Sequence, residues 1–252
     1  MSTFRIVLIL LTLASPAFAQ GATQDGVRDA AAATQAAKAF RAYIDGVKKE
    51  GGKPDLTKPE VATQLGHIFD RAAFKALPPA QGSDLPWLLD WIEAAKETNK
   101  LYIFYGVTLE PKPDFETMGR NMLAYQDQYA VSLDFLLHGF AREASAMKLF
   151  MAELPPKERT PIREAALTGF SKNGVENITS SIGAVILGDA KPENVRVVTG
   201  AIRDTREAWA SFFLPPDRAR MIETLAGVLK RPLDETAKAD LAAFKDALEA
   251  VK

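Results

Sequence analysis

The chain has 252 residues, with 31 Lys and Arg residues against 32 Asp and Glu residues, two histidines and no cysteine. Because acidic and basic residues are interleaved and the net charge is close to zero, the composition argues against nucleic acid and anionic membrane surfaces as partners. The absence of cysteine excludes disulfide bonds, thiol catalysis, covalent haem attachment and Cys-ligated metal centres.

Residues 1–19, MSTFRIVLILLTLASPAFA, are typical of a signal peptide that is removed after export. Arg5 supplies the positive charge, residues 6–14 form the apolar segment, and residues 17–19, Ala-Phe-Ala, form a small-x-small cleavage site. This apolar segment is much shorter than the roughly 20 residues that cross a membrane. We therefore expect an exported protein, periplasmic or secreted, whose mature chain begins at Gln20.

Residues 20–252 are predicted to form a single all-α domain, an array or bundle of about eight helices. Apolar residues recur at helical spacing along most of this region, and Gly, Pro and Asp mark the expected helix ends. The predicted helices lie near residues 28–50, 57–77, 84–109, 114–153, 157–189, 192–213, 217–230 and 234–252. In the fifth of these the apolar stripe changes phase near residues 171–174, which predicts either one bent helix or two.

The fourth predicted helix, residues 114–153, is unusually long. No proline interrupts it and apolar side chains continue at helical spacing, which predicts a rod of roughly 60 Å at about 1.5 Å per residue. The preceding segment 110–114, EPKPD, predicts a tight corner and is a possible subdomain boundary. Residues 101–109 fit a helix or a strand; we favour a helix because only the segment near Val195 resembles a partner strand.

Three Leu-Pro-Pro triplets begin at Leu77, Leu154 and Leu214. Their spacing is unequal and their flanking sequences differ, which argues against an internal repeat. A residue that precedes proline is forced out of the α-helical region, whereas proline itself fits the first turn of a helix. Each triplet is therefore predicted to form a stiff corner between two helices.

The best candidate for acid–base chemistry is the trio Asp134, His138 and Arg142. Their spacing of i, i+4 and i+8 places them on one face of a helix, where a carboxylate can orient an imidazole and raise its pKa. The alternative is a charge ladder that contributes only a few tenths of a kcal/mol per pair. His67 and Asp70 form a weaker version of the same pattern.

A second candidate site is aromatic. If the third and fourth predicted helices form an antiparallel hairpin, Trp and Tyr side chains from both approach each other, and such a surface can line a pocket for a flat or amphipathic ligand. The predicted lining consists of Trp91, Tyr102, Asn121, Tyr125 and Tyr129. The alternative is that these aromatic residues belong to the core, with their OH and NH groups bonded to the backbone.

The sequence carries no His-Glu-x-x-His, Gly-x-Ser-x-Gly, phosphate-loop or dinucleotide-binding motif. We therefore expect no cofactor and, as the leading hypothesis, a non-enzymatic exported protein that binds a protein partner or a small apolar or amphipathic ligand. One alternative is an enzyme that uses an acid–base or metal site at Asp134 and His138. The other is a structural envelope protein without a small-molecule site.

Overall fold

The protein is described by a computed structural model that covers residues 23–186 and 190–251. The predicted signal peptide, residues 1–19, lies outside the described residues. Within the described part, the chain forms eleven α-helices and two short 3-10 turns, and it contains no strand. The all-α prediction is therefore confirmed.

The helices follow one another along the chain, and the longest connection, residues 104–114, precedes the fifth helix. They are α1 (Gln24–Lys49), α2 (Pro59–Ile68), α3 (Arg71–Ala76), α4 (Leu85–Ile103), α5 (Phe115–Ala124), α6 (Gln126–Glu153), α7 (Pro161–Ile186), α8 (Pro192–Asp204), α9 (Arg206–Phe212), α10 (Pro215–Val228) and α11 (Glu235–Ala250). The 3-10 turns are Gly82–Asp84 and Pro156–Glu158.

The prediction of one helix over 114–153 was wrong in one respect, because the run divides at Tyr125. The backbone of Tyr125 has φ −112° and ψ 25°, which ends α5 and begins α6. The Tyr125 hydroxyl donates to the carbonyl oxygen of Pro54 at 2.9 Å, and its ring packs edge-on against Tyr102 at 5.7 Å. These contacts join Tyr125 to residues that are distant in the sequence, so the local apolar pattern could not predict the break.

Two other predicted helices also divide. Asp70 interrupts the run over 57–77 by accepting a hydrogen bond from the Ala73 amide at 2.8 Å, which caps α3. Thr205 separates α8 from α9. By contrast, α7 runs continuously through residues 171–174, where Gly174 leaves room for an aromatic neighbour: a Cβ on Gly174 would lie 2.5 Å from the ring of Trp209.

The Leu-Pro-Pro triplets all lie at helix ends, with each leucine in an extended conformation. Leu77 and Leu154 follow the last residues of α3 and α6, with ψ values of 142° and 133°. Leu214 has ψ 152° and precedes α10, which begins on Pro215. Residues 101–103 are helical and complete α4, and residues 104–109 form turns and irregular structure, with no strand.

The helices that position the cavity discussed below are α4, α6 and α7. α4 lies between α1 on one side and α6 on the other, and α6 also packs against α7 and α8. Gly139 allows the close approach of α6 to α4, because a Cβ there would lie 3.1 Å from Cγ1 of Ile92. No helix among the described residues has both the length and the apolar character to cross a membrane.

Candidate ligand-binding site

The structure separates the predicted acid–base trio. The Arg142 side chain pairs with Asp84 rather than with His138: its Nη2 donates to the Asp84 carboxylate at 3.1 Å, and its guanidinium lies over the rings of Phe74 and Trp87 at 5.9 and 5.7 Å. Burial lowers the pKa of Arg142, and the negative charge of Asp84 partly opposes this. Arg142 therefore belongs to the packing between α6 and the start of α4.

Asp84 is the centre of this packing. Its side chain is fully buried, and it accepts hydrogen bonds from the amide and hydroxyl of Thr23, the amide of Gln81, the indole of Trp87 and the guanidinium of Arg142. A buried carboxylate needs such partners because an isolated charge is very costly to remove from water. The network joins the start of α1, the turn before α4 and the middle of α6.

Asp134 and His138 remain neighbours on α6. Nδ1 of His138 lies 2.9 Å from the backbone carbonyl oxygen of Asp134 and 3.4 Å from its carboxylate. Because a carbonyl only accepts hydrogen bonds, the first contact places a proton on Nδ1. The Asp134 carboxylate also pairs with Arg71 of α3 at 3.3 Å. Asp134 therefore bridges two helices. His67, the weaker candidate, is exposed on α2.

The five residues predicted to line an aromatic pocket line none of the three cavities described below. Trp91 is fully buried, donates from its indole to the carbonyl oxygen of Ile68 at 2.9 Å, and packs against Phe74 and Phe135. Tyr102, also fully buried, lies three turns further along α4. Burial raises the pKa of its phenol well above the usual range, and the Ser132 hydroxyl opposes this only in part.

The other three predicted residues also have structural surroundings. Asn121 donates from its side-chain amide to the carbonyl oxygens of Ile103 and Tyr105, at 2.9 and 2.8 Å, and so completes the end of α4. Tyr125 anchors the loop between α1 and α2 through Pro54. Tyr129 is half-buried, and burial raises its pKa. The aromatic residues are therefore used mainly for packing and for loop attachment.

A cavity of about 280 Å³ lies elsewhere, between α4, α6 and α7. Each helix contributes residues at helical spacing, so the cavity follows one stripe of each. The lining consists of Leu89, Ile92, Glu93 and Lys96 from α4, Phe140 and Glu143 from α6, and Phe170, Asn173, Glu176 and Asn177 from α7. Four of these ten residues are apolar and six are polar or charged, so the cavity combines an apolar wall with several polar groups.

Glu143 is the unusual member of this lining. Its residue is only 2% exposed, and no group among residues 23–186 and 190–251 donates a hydrogen bond to its carboxyl or forms an ion pair with it. Burial raises the pKa of Glu143 from 4.5 to about 8; the positive charge of Lys96 opposes this shift and the negative charge of Glu93 adds to it. Glu143 is therefore mostly protonated at neutral pH.

The other charged groups of the cavity are paired. Lys96 and Glu93 form an ion pair at 3.0 Å on the same face of α4. Glu176 lies 3.9 Å from Arg220 of α10, which is outside the lining. Glu143 is thus the one ionisable group of the described lining that lacks a partner, and perturbed ionisable groups in clefts are enriched at functional sites.

Sequence reasoning missed Glu143, although a signal was present. The apolar stripe of α6 passes from Leu136 and Phe140 to Met147 and Phe150, and the position between Phe140 and Met147 is occupied by Glu143. A charged residue at a core position of an otherwise regular stripe is expensive unless it is paired. The charged residue in an apolar stripe therefore makes position 143 identifiable from the sequence. The other lining residues can be identified only from the packing of the three helices.

Two further surface depressions have no buried charged residue in their described linings. One, of about 260 Å³, lies between α1 and α4, and the other, of about 310 Å³, lies between α2, the loop before it and α6. The charged residues of both linings are exposed or half-buried. Among the described residues, no group of three or more His, Cys, Asp or Glu side chains is arranged to hold a metal ion.

Comparison with known proteins gives no relative from which a role could be transferred: no family model, curated protein or solved structure matches this chain.

Proposed function

We propose that the protein is an exported, non-enzymatic binding protein, and that the cavity between α4, α6 and α7 takes a small amphipathic ligand. The observation that carries the proposal is Glu143, a carboxyl group that is 2% exposed, lines the cavity and has no partner in the described chain. A ligand with a polar group at one end would supply the missing partner.

The energetics of burial support this interpretation. A buried polar group without a hydrogen bond costs roughly 1–3 kcal/mol in proteins, so its presence needs a reason. An apolar residue at position 143 would continue the stripe of α6 at no such cost. The cavity also has apolar walls from Leu89, Ile92 and Phe140, against which the body of an amphipathic ligand can be buried.

Export is part of the proposal and rests on residues 1–19, whose charge, apolar segment and cleavage pattern are those of a signal peptide. The natural ligand would accordingly be met in the periplasm or outside the cell.

The enzymatic alternative has less support. It needs Asp134 and His138 to reach a substrate, but Asp134 pairs with Arg71, and neither residue lines any of the three cavities described above. A purely structural envelope role accounts for the Asp84 network but gives no reason for an unpaired carboxyl at Glu143.

The proposal is tested by native mass spectrometry of the protein isolated from the cells that produce it. We expect a stoichiometric extra mass on the wild-type chain. Leu89→Trp, which fills the cavity from α4, should remove the extra mass. The matched control Leu101→Trp places the same side chain on the same helix, facing the groove between α1 and α4, and should retain it.

Both variants should first show unchanged helical content by circular dichroism, so that loss of the extra mass reports on the cavity. A wild-type protein that carries no extra mass, or an extra mass that survives in Leu89→Trp, contradicts the proposal.

A further inference from the structure

The chemistry of the cavity narrows the class of ligand, and this inference rests on the binding function proposed above. Among the described residues, the lining contains three carboxyl side chains, Glu93, Glu143 and Glu176, but only one cation, Lys96. Lys96 already pairs with Glu93 at 3.0 Å. Once that pair and the contact of Glu176 with Arg220 are formed, Glu143 is the group left without a counter-charge.

The ionisable groups of the described lining are mainly acidic. An ionised carboxylate only accepts hydrogen bonds, whereas the side chains of Asn173 and Asn177 each carry both an amide oxygen and a donating NH2 group. A ligand that fits such a site donates hydrogen bonds and carries positive charge. An anion would meet one lysine that already pairs with Glu93, and its negative charge would oppose ionisation of Glu143.

The aromatic residues of the lining also favour a positively charged ligand. The ring of Phe170 already packs against Trp209 and Phe212, at 6.1 and 5.5 Å. Phe140 is half-buried, lines the cavity and has no ring partner among residues 23–186 and 190–251. The face of an aromatic ring attracts a cation through its quadrupole, and sites for organic ammonium groups commonly use it.

The volume limits the size of the ligand. An apolar cavity of about 150 Å³ is known to hold benzene, so the 280 Å³ here accommodates one ring together with a short substituent. The apolar residues Leu89, Ile92 and Phe140 provide the surface for such a body.

We propose that the cavity binds a small organic cation, an ammonium group on an apolar body of about one ring, with the ammonium at the Glu143 carboxylate and the body against Leu89, Ile92 and Phe140.

This arrangement couples binding to proton release. The pKa of free Glu143 is raised to about 8, so at pH 7 the group is mostly protonated. An adjacent ammonium favours the carboxylate, so binding expels the carboxyl proton to solvent. The charged groups that face Glu143 are Glu93 and Lys96 from α4 and Glu176 from α7. Because the bound form has fewer protons, affinity rises with pH up to the pKa of the free protein and is constant above it.

The test is isothermal titration calorimetry on the full mature chain with three probes of similar size: 2-phenylethylammonium, 2-phenylethanol and phenylacetate. A primary ammonium resembles the lysine side chain, with a pKa near 10.4, and stays charged from pH 6 to pH 8. We expect its affinity to rise at least about tenfold over that range. Titrations in buffers of different ionisation enthalpy should show release of close to one proton at pH 7.

Glu143→Gln keeps the size and shape of the side chain but removes its charge. It should reduce binding of 2-phenylethylammonium to the level of 2-phenylethanol and abolish the pH dependence, while binding of the alcohol changes little. The matched control is Glu97→Gln, the same substitution on α4 outside this lining, and it should leave all three probes unaffected.

The outcomes separate this inference from the proposed function. If the alcohol binds as tightly as the ammonium, or phenylacetate binds more tightly, the cationic class is wrong and the binding function stands. If none of the three probes binds, the inference of a one-ring cation is overturned, and the extra mass sought by native mass spectrometry decides the binding function separately. Ammonium binding that survives in Glu143→Gln also overturns the inference.

Discussion

Asp84 and Glu143 are two buried carboxyl groups in the same helical array, and they differ in every other respect. Asp84 is fully buried and is surrounded by donors from Thr23, Gln81, Trp87 and Arg142. Glu143 is 2% exposed, faces a cavity and has no donor within the described chain. Burial alone therefore does not mark a functional group; Glu143 is distinguished from Asp84 because it lines a cavity and its carboxyl has no partner in the described chain.

The largest effect is expected at the partnered carboxyl. Asp84→Ala leaves the Arg142 guanidinium, whose side chain is 12% exposed, without its counter-charge, and removes the acceptor for Trp87 and Thr23. Breaking a buried pair by removing one member costs about 3–5 kcal/mol. Urea unfolding at pH 7 measures the loss.

A double-mutant cycle with Arg142→Met supplies the control. If Asp84→Ala destabilises the protein no less when Arg142 is already methionine, the two side chains are not coupled and the Asp84–Arg142 pair does not account for the loss.

Substitution of the unpartnered carboxyl, Glu143, is expected to stabilise the protein at high pH rather than destabilise it. The pKa of Glu143 is raised in the folded state, from 4.5 to about 8, so the folded protein retains a proton that the unfolded chain loses. Its contribution to stability is fully present below about pH 4.5 and is lost as pH rises towards 8. Glu143→Gln should remove this loss, and at pH 9 it should exceed the wild type in stability by a few kcal/mol.

Urea unfolding of both proteins between pH 4 and pH 9 measures this difference. The two proteins should converge in the acidic range, where Glu143 is protonated in both states. Parallel profiles across the whole range would mean that Glu143 titrates alike in the folded and unfolded chain.

A smaller effect tests the same criterion at a residue that the sequence placed in a ligand pocket. Asn121 donates to the carbonyl oxygens of Ile103 and Tyr105. Asn121→Ala should therefore destabilise the protein by about 1–2 kcal/mol, the loss expected for two hydrogen bonds to half-buried carbonyls. Arg120→Ala, its exposed neighbour on α5, is the control and should stay within about 0.5 kcal/mol.

If the two substitutions have equal effects on the urea midpoint, Asn121 does not anchor the end of α4, and its earlier interpretation as a lining residue regains support.

The smallest effects concern the neighbours of Glu143. Glu93 adds to the raised pKa of Glu143 and Lys96 opposes it. Glu93→Gln should therefore lower the pKa of Glu143, whereas Lys96→Met should raise it. The midpoint of the stability profile, or of a carboxyl ¹³C titration, measures both shifts. Two shifts in the same direction would show that charge at these positions does not control Glu143.

Much of the fold was predictable from the sequence because helical periodicity and caps are local. The break at Tyr125 was not, since it involves Pro54, which is 71 residues away. The break at Asp70 was missed although its cap is local, because Asp70 bonds to the amide of Ala73 three residues later. Local spacing also failed for the predicted trio of Asp134, His138 and Arg142. It suggested that Arg142 interacts with His138, whereas the partner of Arg142 is Asp84, 58 residues earlier.

The candidate site was predictable only in part. Glu143 interrupts the apolar stripe of α6 between Phe140 and Met147, and this interruption is visible in the sequence. Whether such a residue is paired, exposed or left facing a cavity depends on α4 and α7, which approach α6 through contacts such as that of Gly139 with Ile92. The local pattern shows that a charged residue lies in an apolar stripe, but only the tertiary packing shows that this residue faces a cavity.

The most direct test of a cation site at Glu143 is a ¹³C titration of its side-chain carboxyl, assigned by comparison with Glu143→Gln. We predict an apparent pKa of about 8 in the free protein and a clear decrease in the presence of saturating 2-phenylethylammonium. A midpoint near 4.5 in the free protein, or one that saturating 2-phenylethylammonium does not move, would contradict it.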